Sequence, residues 1–483
     1  MPDTAAFLTE ASELLGPRGL TRDPDMIDPW LQDWRGIYTG RALGLAAPAS
    51  VEEVSALVAL CARHGVPIVP QGGNSGMVGG ATPDGSGRAV LLSLRRMNAI
   101  RRLDPNLREV VCEAGVVLQH LHEVVADTRL RFPLTLGGKG SATIGGLIST
   151  NAGGTQVLRH GSMRAQVLGL EAVLADGRRF DTLTPLKKDN RGFDLKQVLI
   201  GSEGTLGIIT AATLRLIPAI VDRAVIWVGL ETLHDARQLM LHCEAMAGRA
   251  LEGFEVIPAH SLDAVLSHLP GSRAPLAGRH EWHALMELVA ESESQARALP
   301  GLSEQMLEQA MDKGLLQDAT IAANETQAEA FWLLRDSIAP AEKSLGPAVQ
   351  HDISVAVERM PDFIATAVPE VESRFAGTKA IAFGHLGDGN VHFHVLAPER
   401  SVPGEWQRTQ GKQISAFVYE LVTQWGGSIS AEHGIGQAKL EEFGRLGDPV
   451  ALAMLCAVKQ ALDPQGILNP GKLVPLAPHG PNA

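Results

Sequence analysis

The stretch "GHLGDGNVHFHV" (384–395) gathers His385, His392 and His394 around Asp388 and Asn390. Residues of these types so close together form either a hydrogen-bonded polar cluster or a set of metal ligands. Both flanks, "AIAFGHL" and "NVHFHVL", are β-type, and an Asp-Gly pair between two such runs is a strong hairpin signal. With Asp388 and Gly389 as a two-residue loop, Gly387 pairs with Asn390, Leu386 with Val391, and His385 with His392. Directly opposed residues hold their Cβ atoms ~4.5–5.5 Å apart, so this register predicts two imidazoles side by side. Alternation puts Asn390, His392 and His394 on one face, and Val391, Phe393 and Val395 on the other, toward a core. A catalytic metal takes about three protein ligands and keeps a position open. The nearest candidate for the third is Glu432 in "SAEHGIGQAKL" (430–440), after the β-type "GGSIS". Two histidines and a glutamate suit Zn²⁺, and also Mn²⁺ or Fe²⁺.

A second kind of chemistry is written in glycine. "PQGGNSGMVGG" (70–80) follows a β-type run, and such a loop lets backbone N–H groups approach an anion. It lacks the GKS or GKT ending of a P-loop and the strand–GxGxxG–helix setting of a Rossmann turn. Taken alone, anion binding and a plain glycine-rich turn stay equally open. "LGGKGSATIGGLISTNAGGTQVLRHGS" (136–162) interleaves more glycines with Ser141, Thr143, Ser149, Thr150 and Asn151. It reads as a bed for an extended ligand or as a set of crowded turns. "IGSEGTLGIIT" (200–210) repeats the style.

The elements that must position these groups are legible in outline. "VPIVP" (66–70), "AVLLSL" (89–94), "EVVCEAG" (109–115), "VLGLEAVLADGR" (167–178) and "LGIITAATLRL" (206–216) read as strands bounded by turn formers. "SVEEVSALVALCARHG" (50–65) has helical spacing, with Ser50 as cap and Gly65 as stop. The first half is therefore α/β or α+β. After Pro218 the patterns lengthen. Helices are predicted over 232–248 and 326–345, and strands over 223–230 and 351–357.

The chain has 483 residues, which predicts two or three domains. With 42 basic against 54 acidic residues and a net charge of −12, nucleic acid is disfavoured as the main partner, while a local basic pocket for a small anion stays open. Cys61, Cys112, Cys243 and Cys456 are scattered, as in a reducing compartment. The opening "MPDTAAFLTEASELLG" has no basic start followed by an apolar run, and no stretch reaches the ~18 apolar residues of a spanning helix. A cytoplasmic protein is the expectation.

Together, the three glycine-rich stretches resemble the flavin-binding domain of the vanillyl-alcohol oxidase/p-cresol methylhydroxylase superfamily, over about residues 40–217. The resemblance implies that the first two loops cradle the FAD pyrophosphate through Gly72, Gly73, Asn74, Ser75 and Gly76, then Gly140, Ser141, Thr143, Gly145, Gly146, Asn151 and Gly154. It implies that Gly204 and Ile209 border the adenine side. Some members attach the flavin through a first-loop histidine; "GGNSG" has Asn74 and neither histidine nor cysteine, which implies non-covalent FAD.

"GHLGDGNVHFHV", "SAEHGIG" and "ILNPGKL" (467–473) are similar to the C-terminal half of the FAD-linked D-2-hydroxyacid dehydrogenases, a group that includes D-2-hydroxyglutarate and D-lactate dehydrogenases. This implies a divalent metal, expected to be zinc, on His385, His392 and Glu432, with His433 as the base and Asn469 returning to the flavin. Arg335 in "FWLLRDSI" matches the position that binds the substrate carboxylate. Gln350 and His394 match substrate-contacting positions where the hydroxyglutarate type commonly has lysine and asparagine. The implied fold is a two-domain α+β flavoprotein. It has an FAD-binding domain (1–219), an antiparallel-sheet substrate domain (220–425) and a C-terminal segment (426–483) returning to flavin and metal.

The expected reaction is hydride transfer from a D-2-hydroxyacid to flavin N5, with neutral His433 taking the hydroxyl proton and activity falling in acid. D-2-hydroxyglutarate leads, followed by D-lactate or another D-2-hydroxyacid. An electron-transfer flavoprotein or quinone is the expected acceptor, and a homodimer is a family-level expectation. The competing readings are an oxidase using O₂, a metal-dependent hydrolase, and a non-catalytic binding module.

Overall fold

Ser50 stands in extended backbone and accepts from the Glu53 N–H, so the helix Val51–His64 begins at the expected cap and ends on left-handed Gly65. Its apolar face, Val51, Val54, Leu57, Val58 and Cys61, is buried in a core shared with Ile68, Val90 and Leu92. The computed structural model describes residues 4–186 and 188–475. The tail "LAPHGPNA" (476–483), expected to be loose, lies outside the described residues.

The chain forms two compact units. The first takes in the N-terminal part through residue 154, then Gly161–Pro218, then the C-terminal stretch from Glu432. It holds a four-stranded sheet in the order Leu20–Thr21, Leu45–Ala46, Val90–Ser93, Ile68–Gln71, in which the last three strands are parallel. It also holds a five-stranded antiparallel sheet ordered Ile100–Asp104, Glu109–Glu113, Ile208–Arg215, Val167–Val173, Arg179–Asp181. The predicted strands of this half all form. A mixed sheet and an antiparallel sheet share this unit with helices, which is the α+β arrangement of the two expected.

The second unit comprises Thr155–His160 and Ala219–Ala431. It is built on a seven-stranded antiparallel sheet ordered Asp318–Ile321, Asp222–Leu230, Trp282–Ala290, Leu251–Pro258, Lys379–His385, Asn390–Leu396, Ala348–Ser354. On one face Trp227, Ile257, Leu285, Ile381 and Phe383 pack against Phe331, Leu334, Ile338 and Ala341. Those four come from the helices Glu325–Asp336 and Ile338–Leu345, so the single helix expected over 326–345 is two, broken at Ser337. On the other face Val391, Phe393 and Val395 are fully buried, and Phe393 meets Phe363 of the helix Met360–Arg374. "GGSIS" does not form a strand; it contributes one isolated bridge, Ser428 to Ser354.

The hairpin forms, but not in the expected register. Its turn occupies residues 386–389 rather than Asp388 and Gly389 alone. Leu386 is fully buried and its N–H donates sideways to Phe254 O at 3.1 Å. The outgoing strand therefore ends at His385, whose carbonyl accepts from Gly389 N–H at 3.1 Å. Consequently His385 faces Asn390, and His392 faces Phe383. The expected pairing of His385 with His392 is displaced by two residues, because tertiary contacts at Leu386 outweigh the local preference of Asp-Gly.

Candidate active site

The displaced register still leaves the two histidines as neighbours. His385 and His392 lie on the same face, diagonally across the strand pair, with ring centroids 5.3 Å apart. Diagonal cross-strand positions are within reach of rings. His394 continues the row at 6.5 Å from His392. The outer strand adds Ser354 opposite Asn390, Asp352 opposite His392 and Gln350 opposite His394. Asn390 Nδ2 donates to Asp352 Oδ1 at 2.9 Å, while Asn390 Oδ1 is buried without a hydrogen-bond partner among the described residues.

Each outer histidine is held by a buried carboxylate that no motif indicated. Glu255, opposite His385 on the strand Leu251–Pro258, is 1% exposed and takes the His385 Nδ1 hydrogen bond. Its other oxygen accepts from Arg335 Nε at 2.9 Å, and Arg335 Nη2 stands 3.4 Å from His385 Nε2. Burial works against the Glu255 carboxylate, but the Arg335 guanidinium and the His385 ring outweigh it and hold the carboxyl well below its usual range. With Nδ1–H fixed on Glu255, Nε2 is the nitrogen through which His385 would bind a cation. Glu342, on the helix Ile338–Leu345, holds His394 Nδ1 in the same way and accepts from Ser261 Oγ at 3.3 Å. Burial, with positive charge at His385 and Arg335, pushes the His392 imidazole well below its ordinary value, so it is neutral. A carboxylate-anchored imidazole beside a neutral one and an unsatisfied amide oxygen is a donor set that fits a divalent cation.

The first unit carries the flavin-type loops. Gly73 passes so close to the second loop that a Cβ there would lie 1.7 Å from Ser141 O; at Gly72 it would meet Thr143 Oγ1 at 2.3 Å. Gly145, Gly154 and Gly204 likewise serve close packing, against Ala114, Thr135 and Pro70. Gly76 and Gly140 differ, because a Cβ at either would meet nothing within 4 Å. The two loops thus touch at Gly72–Gly73 and leave free space beside it at Gly76 and Gly140. Thr143 caps the helix Ile144–Thr150 over Gly146 N–H, and Asn151 ends that helix in left-handed backbone, accepting from Arg164 N–H at 2.9 Å. Asn74 is turned away, donating to Gln32 O at 2.7 Å, Ser75 lies beside Gly138, and Ile209 is a core residue. Gln71 Oε1 and Asn469 Oδ1 are buried acceptors without partners among the described residues. Touching glycine loops, open space at their edge and orphaned acceptors nearby fit a bound dinucleotide. With no histidine or cysteine in residues 72–76, acid precipitation of the yellow holoprotein is expected to leave the colour in the supernatant; a yellow pellet after extraction would mean a covalent bond.

Glu432 and His433 open the C-terminal stretch of this first unit, immediately before a turn that Glu203 clamps. The Glu203 carboxylate accepts from Ile435 N–H and Gly436 N–H, both at 2.7 Å. Burial raises the pKa of Glu203, partly offset by those two N–H groups and by Lys439 and Lys472. Asn469 Nδ2 donates to Glu203 O at 2.7 Å and to Gly80 O at 2.9 Å, tying the third loop, the first loop and "ILNPGKL" together. The expected site residues therefore assemble in two groups. His385, His392, His394, Gln350 and Arg335 gather in the second unit, and the flavin loops, Asn469, Glu432 and His433 in the first.

Residues 42–182 match the family model described as "FAD binding domain", and residues 221–473 match "FAD linked oxidases, C-terminal domain". The chain is 37% identical over 464 residues to a protein of Oryza sativa subsp. japonica named probable D-2-hydroxyglutarate dehydrogenase, mitochondrial, covering 96% of this chain and 80% of the relative. It is 34% identical to the D-2-hydroxyglutarate dehydrogenase of Xanthomonas citri pv. viticola, covering 94% of each. Among solved structures, p-cresol methylhydroxylase with substrate bound superposes with a TM-score of 0.75 over 97% of this chain and 96% of that one, at 17% identity. That last likeness is one of fold. Among the described residues no helix is long and apolar enough to cross a membrane.

Proposed function

Because this chain belongs to the FAD-linked oxidases, with the D-2-hydroxyglutarate dehydrogenases among its relatives, and is an FAD-dependent oxidoreductase acting on D-2-hydroxyacids, we propose a metal-assisted reaction with His433 as base. The observation that carries the metal is the His385–Glu255 pair beside His392. His385 and His392 supply two nitrogens and Glu432 a carboxylate; zinc is the first candidate. Such an ion supplies Lewis acidity to the substrate hydroxyl. Bound FAD supplies hydride acceptance at N5.

The remaining work falls to the side chains. His433 takes the C2 hydroxyl proton on a ring nitrogen. Arg335, oriented by Glu255, is the proposed partner of the C1 carboxylate. Gln350 and His394, adjacent in register, receive the distal end of the substrate. D-2-hydroxyglutarate is the leading substrate because the relatives carry that name. D-lactate or another D-2-hydroxyacid is the second reading, favoured by the observation that Gln350 is uncharged and His394 is already engaged by Glu342. The electron acceptor is proposed to be an electron-transfer flavoprotein or a quinone.

A panel of D- and L-2-hydroxyacids with a dye acceptor tests this on metal-replete holoenzyme. D enantiomers are expected to reduce the dye and L enantiomers to fail, with D-2-hydroxyglutarate giving the highest kcat/KM. Activity confined to L substrates, or none with any D-2-hydroxyacid, would overturn the reading.

A further inference from the structure

Two lysines of the C-terminal segment are equally buried and treated very differently. Lys459 and Lys472 are each 3% exposed. Lys459 is saturated: its Nζ donates to Thr205 O at 2.8 Å, Asp463 Oδ2 at 2.5 Å and Leu468 O at 2.8 Å. Lys472 Nζ makes no hydrogen bond or ion pair among the described residues. Burial lowers its pKa, and Asp84 and Glu203 counter this only through space. The Lys472 stem is buried, but its ammonium is not among the polar atoms sealed off without a partner, so it is left facing open space where an anionic or acceptor ligand can meet it.

The same turn holds a complementary orphan. Asn469 uses both Nδ2 hydrogens, on Gly80 O and Glu203 O, while its Oδ1 is buried and unpaired. The turn is tightly held, since Asn469 N–H donates to Ile68 O at 2.8 Å and Leu473 N–H to Gly436 O at 3.1 Å. One short turn of the cofactor-binding unit therefore presents an unsatisfied cation and an unsatisfied acceptor. The pyrimidine edge of a flavin is their counterpart. Its N3–H is a donor, and the neighbouring N1–C2=O group accepts and becomes negative when N5 takes a hydride. We propose that Lys472 faces the flavin N1–C2=O group and stabilises the charge that develops there, with Asn469 Oδ1 accepting from N3–H. An ammonium fixed where charge develops acts on the reaction more than on ground-state binding.

Sulfite binding to the holoenzyme tests this without substrate, metal or base. Sulfite forms an N–S bond at N5 with its lone pair and pushes an electron pair onto N1–C2=O, so its Kd reports the charge facing that edge. Lys472→Met is expected to weaken sulfite binding about tenfold or more, while the FAD Kd changes by less than about threefold. Lys472→Arg, which keeps the charge, should retain sulfite affinity within about threefold. Removing a charge that has no protein partner should not lower the Tm of the apoprotein, so the Met variant is expected to fold. If it fails to hold flavin, Lys472→Gln provides the same comparison against Lys472→Arg. Unchanged sulfite affinity in the uncharged variants would overturn the assignment. So would a loss of FAD affinity with sulfite binding intact, which would place the ammonium on the pyrophosphate.

Discussion

His433→Ala is expected to lower kcat by about 10²–10⁴-fold, the range that a positioned general base supplies. The flavin spectrum and metal content should stay those of the wild type. The second half of that expectation follows from how the segment is anchored. Ile435 and Gly436 bind the Glu203 carboxylate through backbone N–H groups, and Gln437 and Ala438 bind Val78 O at 3.1 Å through theirs. None of these bonds uses the imidazole of His433. Truncating that ring therefore removes a proton acceptor while these backbone bonds of the turn stay in place. Steady-state kinetics with the best D-2-hydroxyacid of the panel checks the rate, and partial rescue by added imidazole would separate a lost base from a disturbed loop. A near-native kcat would rule out His433 as the base; loss of flavin would show that the ring supports the cofactor site instead.

What could be read from the residues alone tracks how local each feature is. The helix Val51–His64 is specified by its own cap, face and stop, and it forms as expected. The strands of the cofactor unit are short runs between turn formers, and they form as well. The hairpin shows where local reading fails. Asp388-Gly389 favours a two-residue turn, but the bond from Leu386 to Phe254 spans over a hundred residues of chain and cannot be seen in the twelve-residue motif. Gly389 supports the longer turn for a reason equally remote, since a Cβ there would lie 2.0 Å from Val355 O. The buried carboxylates were invisible for the same reason. Glu255 lies 130 residues from His385, and Glu342 lies 52 residues from His394. The available signal was two acids, Glu252 and Glu255, in an otherwise apolar strand: "LEGFEVIP" is buried along its whole length, so each carboxylate had to have partners.

That partnership makes Glu255→Gln the second large effect. The expected result is ~10–100-fold weaker metal binding, the usual loss when the hydrogen-bond partner of a ligating histidine is removed. Glu255 uses one oxygen for His385 Nδ1 and the other for Arg335 Nε, and a glutamine keeps only one acceptor. If its oxygen serves Arg335, the amide N–H₂ faces His385 Nδ1 and drives the ring proton to Nε2, the nitrogen needed for the metal. If its oxygen serves His385, Arg335 is left buried beside an N–H₂ group and without its carboxylate, which costs ~3–5 kcal/mol of local order. Either orientation disturbs the pair, so the effect does not depend on which rotamer is taken. His392→Ala supplies the benchmark for a lost ligand, and His394→Ala, one position along the same face but anchored by Glu342, should leave metal affinity near that of the wild type. Elemental analysis after dialysis against a graded chelator series measures all three on flavin-replete protein. Native metal retention by Glu255→Gln would mean that His385 needs no carboxylate to orient it. Loss in His394→Ala equal to that in His392→Ala would move the metal along the strand, away from the diagonal pair that the hairpin's shifted register creates.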